Sequence, residues 1–316
     1  MTIRQALAGI LVFAAVMLLV SLQAGAGDGA GAGPTAGNSI RGGRMWDKWW
    51  VVRGIDPPQG EHPLYPPDGQ QSGSSTFRCK ECHGWDYKGA DGAYGEGSSH
   101  YTGIPGVFGS IMTPQEMFDL IKFADPPFGH GYGDYGLTNQ DIYDLVDFLQ
   151  THIIDTDDFI DDAAAFIGDE AQGHYNYTEG GMMMSCVDCH GVNGTNKNFG
   201  TPEDPEWVGT VAVHNPWELL HKIRFGQPGA MMPSWLHHGG SNQGAADIGV
   251  YAQLNFPVGT CAEDVDPPID GVVDIDDLFE ILDHWGEGAG AYDLNDDGMV
   301  DIDDVFAVLA AWGNCS

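Results

Sequence analysis

Cys79-Lys80-Glu81-Cys82-His83 and Cys186-Val187-Asp188-Cys189-His190 are two copies of one pattern, C-x-x-C-H, and the rest of the chain is organised around them. Two thiols three positions apart lie on one helical turn. They can reach both vinyl groups of a single porphyrin, and the imidazole that follows can meet the iron as proximal ligand. A thioredoxin-like dithiol has no need of the histidine. A zinc ribbon sets its two cysteine pairs about 15–20 residues apart, far closer than here. The pattern therefore predicts two covalently bound haem c groups, one on Cys79, Cys82 and His83, the other on Cys186, Cys189 and His190.

Each motif is followed by a helix with clear start signals: Thr113-Pro114-Gln115-Glu116 in the first half and Asn215-Pro216-Trp217-Glu218 in the second. Both have an N-cap residue, Pro at the first helical position and Glu at the third. At a constant offset of 102, Glu116 matches Glu218, Ile121 matches Ile223 and Phe123 matches Phe225, an internal repeat of a whole unit. A further helix follows in each half, Thr138 to Gln150 and about Asn242 to Leu254, the first with an apolar face of Ile142, Leu145, Val146, Phe148 and Leu149.

A haem motif, a middle helix, a loop and a final helix resemble the class I cytochromes c. The resemblance implies that the loop between the last two helices delivers the distal iron ligand. In the second half that loop reads Gly229-Ala230-Met231-Met232-Pro233, which implies Met232, with Met231, His237 and His238 as competitors. In the first half, residues 124–137 hold no Met and one His, His130, which the same offset places on Met232; Met112 and His100 are the alternatives. A His/His site and a His/Met site differ in potential, because the thioether favours ferrous iron. Electrons are then expected to run from the first haem to the second.

Ahead of the first motif lies an aromatic stretch, Met45-Trp46-Asp47-Lys48-Trp49-Trp50, read as core and haem cover. Arg53, Arg78 and Lys80 are candidates to pair with haem propionates.

From Cys261 onward the composition changes: residues 261–316 hold sixteen acidic side chains and no Lys or Arg. Asp277–Gly286 repeats as Asp304–Gly313. Ahead of the second copy, Asp293-Leu294-Asn295-Asp296-Asp297-Gly298-Met299-Val300-Asp301-Ile302-Asp303-Asp304 has the form of an EF-hand loop. Oxygen ligands fall on Asp293, Asn295, Asp297, Asp301 and Asp304, with the Met299 carbonyl at position 7 and Gly298 at the sharp turn. The first loop reads as a worn copy that keeps Asp266, Asp270, Gly271, Asp274 and Asp277 but places Pro268 at position 3, so its calcium is expected to be held more weakly. Two loop-plus-helix repeats without an entering helix resemble type I dockerin modules. That resemblance implies calcium-dependent folding and docking to a partner, of the cohesin kind. Cys261 and Cys315 flank the segment and are expected to form a disulfide.

Arg4, the apolar run Ala6–Leu22 and Ala24-Gly25-Ala26 read as a cleaved export signal, with an uncleaved membrane anchor as the alternative. Export places the protein in the periplasm or at the cell surface. With 46 acidic against 12 basic residues and a net charge of −34, the chain is ill-suited to nucleic acid and anionic membranes, and the balance fits a basic redox-protein partner, bound cations or a salty habitat alike.

The expected fold is mainly α: a signal peptide (1–26), a flexible linker (27–40), tandem cytochrome c domains (41–158 and 159–258) and a small all-α dockerin-like calcium module (261–316). The expected function is electron transfer between redox partners. The alternatives are a dihaem oxidoreductase of peroxidase or thiosulfate dehydrogenase type, and a surface-attachment protein with accessory haems.

Overall fold

Asn38 starts the first helix. Its side chain accepts the Arg41 N–H, so α1 runs Ser39–Arg53, broken at Lys48 (φ −136°, ψ 79°) and ended by Gly54 in the left-handed region. The helix thus begins inside the stretch expected to be linker. The computed structural model describes residues 37–125, 127–180, 185–201, 205–266, 271–288, 290–295 and 297–315, which fall in one compact unit, Ala36–Ser316. The expected export signal and most of the expected linker lie outside the described residues, as does the expected calcium ligand Asp270. Among the described residues no helix is long and apolar enough to cross a membrane. The described chain is mainly helical.

In the first half, α2 (Cys79–His83), α3 (Pro114–Lys122) and α4 (Asn139–Thr151) follow α1. Thr113 with Glu116 forms the reciprocal capping box that the sequence signals promise, and Thr138 with Asp141 forms a second. The apolar face of α4 packs on α1 in a core that holds Met45, Trp49, Trp50, Ile142 and Leu145. Close approach is possible because α1 carries glycine here: a Cβ on Gly42 would strike the Asp144 carbonyl. Arg41 reinforces the contact by pairing with Asp141 (2.6 Å) and Asp144 (2.5 Å).

In the second half, α5 (Glu170–Thr178), α6 (Val187–His190), α7 (Val208–His214), α8 (Pro216–Phe225) and α9 (Asn242–Asn255) build their own core around Tyr177, Leu220, Ile223, Trp235 and Ile248. Asn215 caps α8 by accepting the Glu218 N–H. The α5–α9 contact is tight because Gly173 lies against the Asp247 carbonyl.

A third apolar cluster joins the halves: Trp46, Trp85, Tyr87, Tyr94 and Phe148 of the first with Phe225 of the second. Polar groups are buried at the same seam. Asp47 pairs with both Arg78 and Lys222. His221 donates from Nε2 to the Gly43 carbonyl (2.8 Å) and accepts at Nδ1 from the Tyr87 hydroxyl (2.9 Å), which in turn accepts from Arg224 (3.0 Å). Groups buried this deeply must be partnered, and these are.

The last segment comprises α10 (Ile275–Asp283) and α11 (Ile302–Ala310), each started by an Asp/Asp capping box, Asp274 with Asp277 and Asp301 with Asp304. Val273, Ile281, Val300, Val305 and Val308 fill its core. It is not purely helical: β1 (Val272–Val273) pairs antiparallel with β2 (Gly313–Asn314) beside the Cys261–Cys315 disulfide, so the two ends of the segment close on each other.

Candidate functional site

The Cys79–His83 turn leaves both thiols outside any disulfide, and burial raises each to a pKa of about 12. The imidazole that follows is oriented: His83 Nδ1 donates to the Pro105 carbonyl at 2.7 Å. Across from it stands His130, whose Nδ1 donates to the Leu120 carbonyl at 3.2 Å. The two ring centres are 6.1 Å apart with their planes at 36°. With both Nδ1 atoms taken by carbonyls, Nε2 is the atom each ring has left for a ligand bond. A metal–imidazole bond of about 2 Å puts a metal about 3 Å from each ring centre, so two axial rings stand about 6 Å apart. The 6.1 Å separation leaves room for one metal ion between the two rings. Burial lowers the pKa of both rings, that of His83 to about 4 with His130 adding to the effect, so both are in the neutral form that a metal requires.

Around this site Trp46 packs on His83 (6.0 Å between ring centres) and donates its indole N–H to the Gly84 carbonyl (3.2 Å). His62, not singled out by the sequence, donates from Nε2 to the backbone carbonyl of His130 (3.1 Å). No local pattern marks it; the contact joins segments 68 residues apart. Of the alternatives, His100 is taken by Glu81 (2.5 Å) and stacks on Tyr94, and Met112 packs into the first core. The cations considered for propionates are engaged by carboxylates of the chain itself: Arg53 by Asp141 (3.1 Å), Arg78 by Asp47 and Lys80 by Glu81 (2.8 Å).

The second motif has the same form, with Cys186 and Cys189 free of disulfides. Burial raises Cys186 to about 11 and lowers the pKa of His190, with Lys197 adding to the latter. Its surroundings differ. His190 Nδ1 is buried and, among the described residues, has no hydrogen-bond partner. Met231 is 91% exposed and His237 and His238 are exposed, whereas Met232 is half-buried. The Met232 carbonyl accepts from Arg44 (3.3 Å), whose Nε also donates to the Phe225 carbonyl (2.7 Å).

In the C-terminal segment, buried Asp304 accepts from the backbone N–H groups of Leu294 (2.7 Å), Asn295 (3.3 Å) and Asp301 (2.7 Å). Asp277 does the same for Val265 (2.7 Å), Asp266 (3.1 Å) and Asp274 (2.7 Å). This correspondence corrects the sequence alignment of the loops. Val265 and Asp266 match Leu294 and Asn295, so Asp264 stands where Asp293 does and Asp266 takes position 3. Asp264 Oδ2 accepts from Gly271 N (2.7 Å) just as Asp293 Oδ2 accepts from Gly298 N (2.9 Å). The first loop is two residues longer, which a fixed offset of 27 hides. Carboxylate oxygens of Asp264, Asp266 and Asp277 lie within 4.8 Å of one another, as do those of Asp297, Asp301 and Asp303. Such all-oxygen sets suit a hard cation. Asp297 Oδ1 accepts from Met299 N (3.0 Å) and Oδ2 from Asn295 Nδ2 (3.2 Å).

No protein-family model matches the chain, and no curated protein or solved structure matches it either.

Proposed function

We propose that this chain is an exported dihaem c-type cytochrome that passes electrons between redox proteins. In this reading two cytochrome c units precede a calcium-binding, dockerin-like docking module. The observation that carries the reading is the neighbouring pair His83 and His130 at a C-x-x-C-H turn, with both Nδ1 atoms tied to carbonyls and the ring centres 6.1 Å apart. Bound haem supplies a one-electron iron couple. Cys79 and Cys82 would anchor it, and His83 and His130 would be the residues that hold its iron. Cys186 and Cys189 would anchor a second haem, with His190 and Met232 as the residues that would hold its iron.

Two protein ligands on each iron leave no position for a substrate, which favours a carrier over a peroxidase or thiosulfate dehydrogenase. The acidic surface selects basic redox partners, whose approach it accelerates at low salt.

The docking role is supported by a duplicated apolar stripe. Ile275 (45% exposed), Phe279, Leu282 and Trp285 (50%) on and after α10 repeat as Ile302, Phe306, Leu309 and Trp312 on and after α11, all half exposed. A cohesin-like partner is the occupant that the resemblance implies. Calcium on the two acidic loops would hold the module in shape.

The test is an absorption spectrum of the purified holoprotein with a haem stain after denaturing electrophoresis. The reading expects two covalent haems per chain, both low-spin and slow to bind cyanide. High-spin haem with fast cyanide uptake would favour the enzyme instead, and absence of covalent haem would end the proposal.

A further inference from the structure

Both proposed distal ligands have their backbone carbonyl held by a side chain from the N-terminal part of the chain. His62 donates to the carbonyl of His130 at 3.1 Å, and Arg44 donates to the carbonyl of Met232 at 3.3 Å. The second contact crosses between halves, because Arg44 lies on α1, whose main packing is against α4 of the first half.

Arg44 grips both ends of the loop that carries Met232. Its Nε takes the carbonyl of Phe225, the last residue of α8, at 2.7 Å, and Nη2 takes the carbonyl of Met232. The loop is drawn in so closely that Gly226, at φ +83°, has no space for a side chain: a Cβ there would meet the Met232 carbonyl, the Arg44 guanidinium and the Pro233 carbonyl. A guanidinium suits this task. It presents several donors in a rigid plane, so it can span two carbonyls at once, and an ammonium cannot reproduce that fork. The guanidinium is half-buried. The carbonyls therefore replace water that it would otherwise bind, and loss of the side chain would leave them without their donor.

We infer that Arg44 is the positioning residue of the second haem site. By clamping the Phe225 and Met232 carbonyls it keeps Met232 on the second iron, and it ties the ligation of that haem to a helix of the other half. This rests on the proposed Met232 ligation. Two residues along α1, Trp46 packs on His83 at 6.0 Å, so the same helix bears on both sites. A second half separated from α1 would keep its C-x-x-C-H motif and lose its distal clamp.

The test uses the full-length holoprotein with Arg44→Gln and Arg44→Lys. The readouts are the Met–iron charge-transfer band of the ferric protein and the rate of cyanide binding to the second haem. Arg44→Gln is expected to weaken the band and to speed cyanide binding by about 10- to 100-fold, the scale of supporting-residue losses at metal sites. Arg44→Lys should fall between, since it keeps the charge and loses the fork, and it serves if the glutamine variant does not fold. The low-spin spectrum of the first haem should not change in either. A full band and wild-type cyanide rates in both variants would overturn the inference and leave the dihaem reading intact. A wild-type protein with two covalent haems but no such band would overturn the Met232 ligation and the inference with it.

Discussion

The two halves share a layout and differ in what surrounds the histidine of each motif. In the first, the His83 ring is fixed by a 2.7 Å bond to the Pro105 carbonyl and lies 6.1 Å, centre to centre, from a second imidazole. In the second, His190 Nδ1 is buried without a partner among the described residues, and the equivalent loop offers Met232. A hydrogen bond to the far nitrogen raises the basicity of a ligating imidazole and so favours the more oxidised metal. A thioether favours the reduced one. In the proposed dihaem reading both differences push the same way, toward a lower potential in the first half. In that reading the repeat supplies the frame, and the unequal surroundings would supply a direction for the electron.

The largest effect that would sharpen this comparison is loss of one haem. Cys79→Ala combined with Cys82→Ala should halve the covalent haem per chain, read by haem stain and mass spectrometry, and should remove the lower-potential site alone. If the remaining haem titrates at the lower potential, the assignment of the two halves is reversed.

Next comes the seam that joins the halves. Burial opposes charge on Asp47, but Lys222 and Arg78 outweigh it and hold its pKa at about 2. Asp47→Ala would leave two buried cations without their carboxylate. The expected cost is about 3–5 kcal/mol in denaturant unfolding, and a change under about 1 kcal/mol would show that the pairs are not buried as described.

The seam also predicts a pH dependence. Burial holds His221 down to a pKa of about 3, with Arg224 and Lys222 reinforcing it and the Gly43 carbonyl and Asp47 opposing. An unfolded histidine titrates at about 6.5. Below that value the unfolded chain binds the proton that the folded one refuses. Stability is therefore full above about pH 6.5 and falls by about 1.4 kcal/mol per unit, to order of magnitude, down to about pH 3. His221→Gln should flatten this part of the acid limb in thermal melts, and an unchanged slope would place the titration elsewhere.

The smallest effect concerns the C-terminal loops. Chelation should lower the melting temperature of the full chain's C-terminal segment, followed by the fluorescence of Trp285 and Trp312. Asp264→Ala should lower calcium affinity of the first loop as Asp293→Ala does that of the second. Calcium-insensitive melting would remove the EF-hand reading.

Local signals were legible in the chain before any fold was known. Thr113 with Glu116 and Thr138 with Asp141 announce their helices because a capping box is decided within four residues. The disulfide between Cys261 and Cys315 was legible from their position at the two ends of one segment. His130 was singled out by its place in a repeat, and its ring centre lies 6.1 Å from that of His83. Long-range partners were not legible. Nothing near His62 or Arg44 says which carbonyl each will meet, since those contacts join residues 68 and 188 apart. Asp264 was missed for another reason. A two-residue insertion shifts the front of the first loop while its back keeps register, so an alignment at one offset is right at Asp277 and wrong at Asp266.

The most direct test of unequal haems is a spectrally resolved redox titration of the full-length holoprotein. The account predicts two separate one-electron steps, with the Met–iron charge-transfer band vanishing in the higher-potential step. A single potential shared by both haems, or a band that follows the lower step, would contradict it.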